Sequence, residues 1–259
     1  MGEYVDINGH PTWVDERGSG AETVLLLHGG LSNSDLLLDT LGDGLAERYR
    51  VVAFDRRGHG RTADTDAPFH YDDMAEETVG ILKRVVGGPA HIVGWSDGGI
   101  IALLLGLNHP DLVGRLVAIG ANYHYDGIGE MPLDSDSPVM AMIADGYAER
   151  SPDGGGHFPE VLAKAMTMFS TEPTLTTADL ARITTPVLVL VGDDEVVKLD
   201  HTGSLYQALP AGQLAIVPAA THAVPMEKPA EVVHLVTDFL TGPEPPSTFL
   251  PVRRVPTTA

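Results

Sequence analysis

A serine, a cluster of carboxylates and a histidine occur in an order that could support nucleophilic catalysis. Ser96 sits in Gly94-Trp95-Ser96-Asp97-Gly98, a G-x-S-x-G pattern. The apolar run Ala90-His91-Ile92-Val93 precedes it, and the helix-like run Ile100-Ile101-Ala102-Leu103-Leu104-Leu105 follows. This reads as strand, sharp turn and helix with Ser96 at the apex, the arrangement that exposes a nucleophilic hydroxyl. Glycine at 94 and 98 lets strand and helix approach closely around the turn. A serine hydroxyl needs a base to take its proton and a carboxylate to orient that base. His222, in a loop past the apolar run Leu214-Ala215-Ile216-Val217, is the candidate base. The acid is sought in Gly192-Asp193-Asp194-Glu195, at the end of the run Pro186–Val191. Asp194 is the first choice, by its distance to the segment around His201, with Glu195 and Asp193 left open. His28-Gly29-Gly30-Leu31 follows the run Thr23–Leu27 and is a loop of the type that donates backbone N–H to an oxyanion. Gly30 is the candidate donor, Leu31 the alternative, and the N–H of Asp97 the second donor.

These groups need a scaffold. Residues 3–7 and 11–15 read as two strands about an Asn8-Gly9 turn. The continuous apolar run at 23–28 reads as a strand buried on both faces, as in a parallel sheet, 50–54 as another buried strand, and 90–93, 115–121, 186–191 and 214–217 as further strands. Helical spacing over 36–48, 71–86, 100–105 and 229–240 alternates with them, which predicts a mostly parallel sheet with helices on both faces. Residues 124–182 break the rhythm and read as a cap inserted over the strand ends, with helices at about 138–149 and 158–169. The expected organisation is therefore a core of 1–123 and 183–241, a cap of 124–182 and a Pro-rich, loosely ordered tail of 242–259. The methionines Met131, Met140, Met142, Met166 and Met168 could line a pocket or pack cap against core. His59, in Asp55-Arg56-Arg57-Gly58-His59-Gly60, is read as a loop histidine and is given no chemistry.

Composition narrows the field. The chain has 259 residues, enough for one buried core. Its formal net charge of −20 should repel nucleic acid and anionic membranes. That charge serves solubility or, alternatively, attracts cationic substrates. There is no cysteine, which excludes disulfides, thiolate catalysis and cysteine-ligated metals. No H-E-x-x-H and no G-x-G-x-x-G is present, so neither metal nor nucleotide cofactor is expected. The N-terminus has no signal-peptide pattern and no apolar run nears the ~18 residues of a membrane span, which makes a cytoplasmic location the expectation.

Taken together, His28-Gly29-Gly30, Asp55-Arg56-Arg57-Gly58-His59-Gly60, Gly94-Trp95-Ser96-Asp97-Gly98-Gly99, Gly192-Asp193-Asp194 and His222 resemble the α/β-hydrolase superfamily over residues 3–241. Gly94–Gly99 with Gly120-Ala121-Asn122 is similar to the biphenyl-hydrolase-like (valacyclovir-hydrolase-like) esterases. The resemblance implies an α/β-hydrolase fold with a small helical cap, a Ser-His-Asp triad and hydrolysis of a small-molecule carboxylic ester through an acyl-enzyme. It also implies substrate contacts from Trp95, Leu31 and Asp97. In that group the aspartate after the nucleophile receives a substrate amino group. Asp97 stands at that position, where a carboxylate also stabilises a helix N-terminus. The Asp-Asp-Glu turn departs from the common G-x-x-D form. The same triad serves C–C bond hydrolysis, lactone opening and perhydrolysis, and a weakly catalytic ligand receptor on the same fold is the reading of another class.

Overall fold

A computed structural model describes residues 2–129, 137–244, 246 and 248–252. Eight strands form one sheet: β1 Glu3–Ile7, β2 His10–Arg17, β3 Thr23–Leu27, β4 Arg50–Phe54, β5 Ala90–Trp95, β6 Val113–Ile119, β7 Val187–Asp194 and β8 Gly212–Thr221. Their order across the sheet is β1-β2-β4-β3-β5-β6-β7-β8. β1 and β2 pair antiparallel, β2 pairs antiparallel to β4, and all other neighbours are parallel. The β1–β2 turn uses Asn8 at φ 53° and Gly9 at φ 86°, the left-handed pair that a two-residue hairpin requires.

Side-chain alternation divides the apolar runs between two cores. Leu25, Leu27, Val52, Phe54 and Ile92 pack under the helices Tyr71–Ile81 and Asp97–Asn108. Val24, Leu26, Val51, Ala53 and Val93 pack on the other face, against the helical stretch 34–46 and the helix Pro229–Thr241. Burial on both faces is why these strands lack an apolar–polar alternation. β7 and β8 run past their expected ends, to Asp194 and Thr221, because their ladder continues beyond the apolar residues.

Between β6 and β7 the chain leaves the sheet. It forms the helices Pro138–Arg150 and Phe158–Phe169 and returns through a neck at 123–128 and 173–175. The neck is closed by a bridge between His124 and Thr174 and by Leu175 N–H donating to the Tyr123 carbonyl at 2.9 Å. Polar side-chain pairs join this insert to the core. Asp35 meets Arg61 at 2.8 Å and Arg150 at 3.0 Å. Asp64 meets Lys164 at 2.7 Å and His157 at 2.9 Å, and Glu172 meets His70 at 2.6 Å. Met140 and Met168 are buried packing residues, while Met142 and Met166 face solvent; Met131 lies outside the described residues. Of the tail, Phe249, Leu250 and Val252 are exposed, and 245, 247 and 253–259 lie outside the described residues.

Candidate active site

Parallel strands deliver their C-terminal ends to one edge of the sheet, and every candidate group lies there. Ser96 follows β5 directly, with φ 54° and ψ −119°. That strained backbone is held by Ser96 N–H donating to the Ile119 carbonyl at 2.8 Å and by its own carbonyl accepting from Gly99 and Ile100. The glycines are sterically required: a Cβ on Gly94 would sit 2.0 Å from the Gly98 carbonyl oxygen, and one on Gly98 would sit 2.0 Å from that of Leu27. The Asp97 N–H opens the helix Asp97–Asn108, so no helical carbonyl accepts from it.

His222 lies just past β8. Its Nε2 is 3.0 Å from Ser96 Oγ, and its Nδ1 is 2.5 Å from Glu195 Oε1. Glu195 is thus the carboxylate on the histidine, and Asp194 is corrected. Asp194 still belongs to β7, paired with Thr221, and is exposed. Asp193, also exposed, accepts from Ala220 N–H. Glu195 is the first residue beyond the strand. Its fully buried side chain turns in to His222, and Oε1 is fixed further by Val196 N–H at 2.9 Å. Counting from Gly192, position 195 is the acid's place in G-x-x-D, here filled by glutamate. The spacing itself was the signal, obscured by the two aspartates before it.

Trp95 braces this pair from below. Its indole N–H donates to the His222 carbonyl at 2.8 Å, and its ring lies against Gly29, where a Cβ would come within 2.8 Å of it. Leu31 adopts φ 52° and packs half-buried on the core, and a Cβ on Gly29 would lie 3.3 Å from Ser96 Cβ. The loop 28–31 therefore runs alongside the serine.

Asp97 is 4% exposed. The Tyr71 hydroxyl donates to its Oδ1 at 2.9 Å, whereas Oδ2 has no partner among the described residues. A Cβ on Gly30 would meet Oδ2 at 2.5 Å and the ring of Phe169, from the insert, at 2.7 Å. Burial pushes the Asp97 carboxyl pKa up, opposed by Arg56 and by the Tyr71 hydrogen bond. His59 is 2% exposed and stacks on Phe69, with its Nδ1 3.0 Å from the Arg57 carbonyl. Burial and the nearby Arg56 charge lower its pKa to about 3, so it is neutral and structural. Among the described residues no group of three or more His, Asp or Glu could hold a metal, and no helix is long and apolar enough to cross a membrane.

Residues 24–235 match the alpha/beta hydrolase family, and the chain belongs to it. It is 26% identical over 256 residues to the serine hydrolase BPHL of Homo sapiens, covering 91% of this chain and 85% of that one. It is 27% identical over 266 residues to the 2-(acetamidomethylene)succinate hydrolase of Mesorhizobium japonicum, covering 91% and 94%. A solved serine hydrolase involved in carbazole degradation superposes with a TM-score of 0.78 at 23% identity, over 93% of this chain and 98% of that one, which shows a shared fold.

Proposed function

We propose that this hydrolase cleaves small carboxylic esters through an acyl-enzyme on Ser96. The supporting observation is a single histidine that touches both the serine hydroxyl and a buried carboxylate. His222 Nε2 takes the Ser96 proton as Oγ attacks the carbonyl carbon. Glu195 accepts from Nδ1–H, which fixes the tautomer and stabilises the imidazolium. The Asp97 N–H and an N–H of the 30–31 loop receive the oxyanion, each such donor contributing about 3–4 kcal/mol to transition-state stabilisation. His222 then protonates the leaving alcohol and activates the water that releases the acid. The alcohol leaves on the His222 side, so the acyl group lies toward Gly30, Phe169 and Asp97.

A second reading concerns Asp97. Its unpartnered Oδ2 beside Gly30 favours a donor on the acyl group, such as an ammonium, in addition to its support of the elbow.

The test is reaction with a fluorophosphonate and turnover of short p-nitrophenyl esters. One adduct on Ser96, absent in Ser96→Ala and His222→Ala, together with loss of turnover in both variants, is the expected result. Turnover of Ser96→Ala near that of the wild type overturns the proposal. An adduct with negligible steady-state rate favours a ligand receptor. An unchanged ratio of aminoacyl to plain ester turnover in Asp97→Asn removes the second reading.

A further inference from the structure

Arg56 is 1% exposed, and the chemistry just described does not use it. Its guanidinium makes no ion pair within 4 Å among the described residues. It instead donates to two successive backbone carbonyls, Nη1 to His28 at 2.6 Å and Nη2 to Gly29 at 2.9 Å. The Gly29 carbonyl accepts a second bond, from the His28 ring. His28 Nε2 accepts from the Arg56 N–H at 3.2 Å, so the ring proton resides on Nδ1, 2.7 Å from the Gly29 oxygen. Burial and the Arg56 charge hold the His28 pKa well below its ordinary value, which keeps the ring in this neutral tautomer.

This pattern dictates where the loop's N–H groups point. In an extended strand successive carbonyls point to opposite sides. One planar fork holding two in a row forces the chain to curl, with both oxygens facing the guanidinium. Across a trans peptide the N–H is antiparallel to the carbonyl. The N–H groups of Gly29 and Gly30 therefore face away from Arg56, on one side, as a nest that suits an anion. The elbow lies beside this loop: Cβ atoms on Gly29 and Gly30 would meet the Trp95 ring, Ser96 Cβ and Asp97 Oδ2. Arg56 also places a positive charge behind the peptide, polarising its N–H toward the anion.

We propose that Arg56 is the positioning residue of the oxyanion site, and that by clamping the Gly29 carbonyl it makes Gly30, not Leu31, the loop's N–H donor. This rests on the ester-hydrolase reading of Ser96. Arg56 touches no reacting atom; it acts through the peptide between Gly29 and Gly30.

The experiment compares wild type, Arg56→Lys and Arg56→Gln by kcat, KM for a short p-nitrophenyl ester, and Ki for an aryl trifluoromethyl ketone. The ketone forms a hemiketal oxyanion on Ser96. The expected result is a fall in kcat on the order of 100-fold in Arg56→Gln. Ki rises in parallel, KM stays within about threefold, and the pH midpoint of kcat/KM does not move. Arg56→Lys, which offers one point charge in place of a fork, falls between. Should Arg56→Gln not fold, 15N-glycine- and 15N-leucine-labelled wild type decides: on adding the ketone, the Gly30 amide proton moves downfield and that of Leu31 does not. Folded variants whose ratio of Ki to KM equals that of the wild type, or a downfield Leu31 in place of Gly30, overturn the inference alone. A wild type with neither turnover nor adduct overturns the ester-hydrolase reading, and this inference with it.

Discussion

The Tyr71 hydroxyl donates to Asp97 Oδ1 across 2.9 Å, joining the start of one core helix to the residue after Ser96. The backbone N–H of the same tyrosine donates to Glu172 Oε2 at 3.0 Å, three residues after Phe169 in the insert. One residue thus ties the start of the elbow helix to the insert. Tyr71→Phe should lower stability by about 1–3 kcal/mol, because a buried carboxylate oxygen loses its donor. The same change in an Asp97→Ala background should cost much less. Urea denaturation of the four proteins measures this coupling, and strictly additive losses would contradict it.

Glu195 and Asp194 separate cleanly by mutation. Glu195→Gln should cut kcat by roughly 10³–10⁴-fold, since the amide no longer holds the histidine tautomer or offsets its charge. Asp194→Asn, at an exposed strand end, should stay within about twofold. Steady-state ester hydrolysis by the two variants reads both numbers.

Acid should unfold the protein partly through its buried histidines. The His59 pKa falls from about 6.5 when unfolded to about 3 when folded, and that of His28 moves the same way. The folded state thus binds fewer protons than the unfolded chain. For His59 the contribution is complete above about pH 6.5 and is lost as pH falls from there toward about 3, by up to ~1.4 kcal/mol per pH unit, and that of His28 is lost in the same direction. His59→Asn keeps a donor for the Arg57 carbonyl and should flatten stability against pH between 6.5 and 5. An unchanged slope in thermal melts across that window would refute the assignment.

Phe169 lies beside Gly30, next to the space proposed for the acyl group. Phe169→Ala should move the preferred p-nitrophenyl ester toward longer acyl chains and leave short-chain kcat within a few fold. The stability cost should be up to about 3 kcal/mol for a half-buried phenyl. A chain-length profile that keeps its maximum would show that the ring does not limit the acyl group.

The core and the elbow were legible in the sequence because each depends on local chemistry. Six continuous apolar runs mark the parallel strands, and only glycine fits the backbone approaches at 94 and 98. The acid was less so. Which of three adjacent carboxylates turns inward depends on where β7 stops, and the ladder extends it to Asp194. The role of Arg56 has no signature in the sequence, because its partners are carbonyl oxygens and every residue type has one. The polar ties of the insert join residues 64 and 157, or 70 and 172, and no periodicity reports so distant a pairing.

The insert has a consequence for descent. Its two ends meet at the His124–Thr174 bridge, which closes the insert into a loop of its own. Doubling the length of such a loop costs only about 0.6 kcal/mol in closure entropy. Residues can therefore be added between those two ends over generations at little entropic cost, as long as the ties of Arg150, Lys164 and Glu172 to Asp35, Asp64 and Tyr71 are kept.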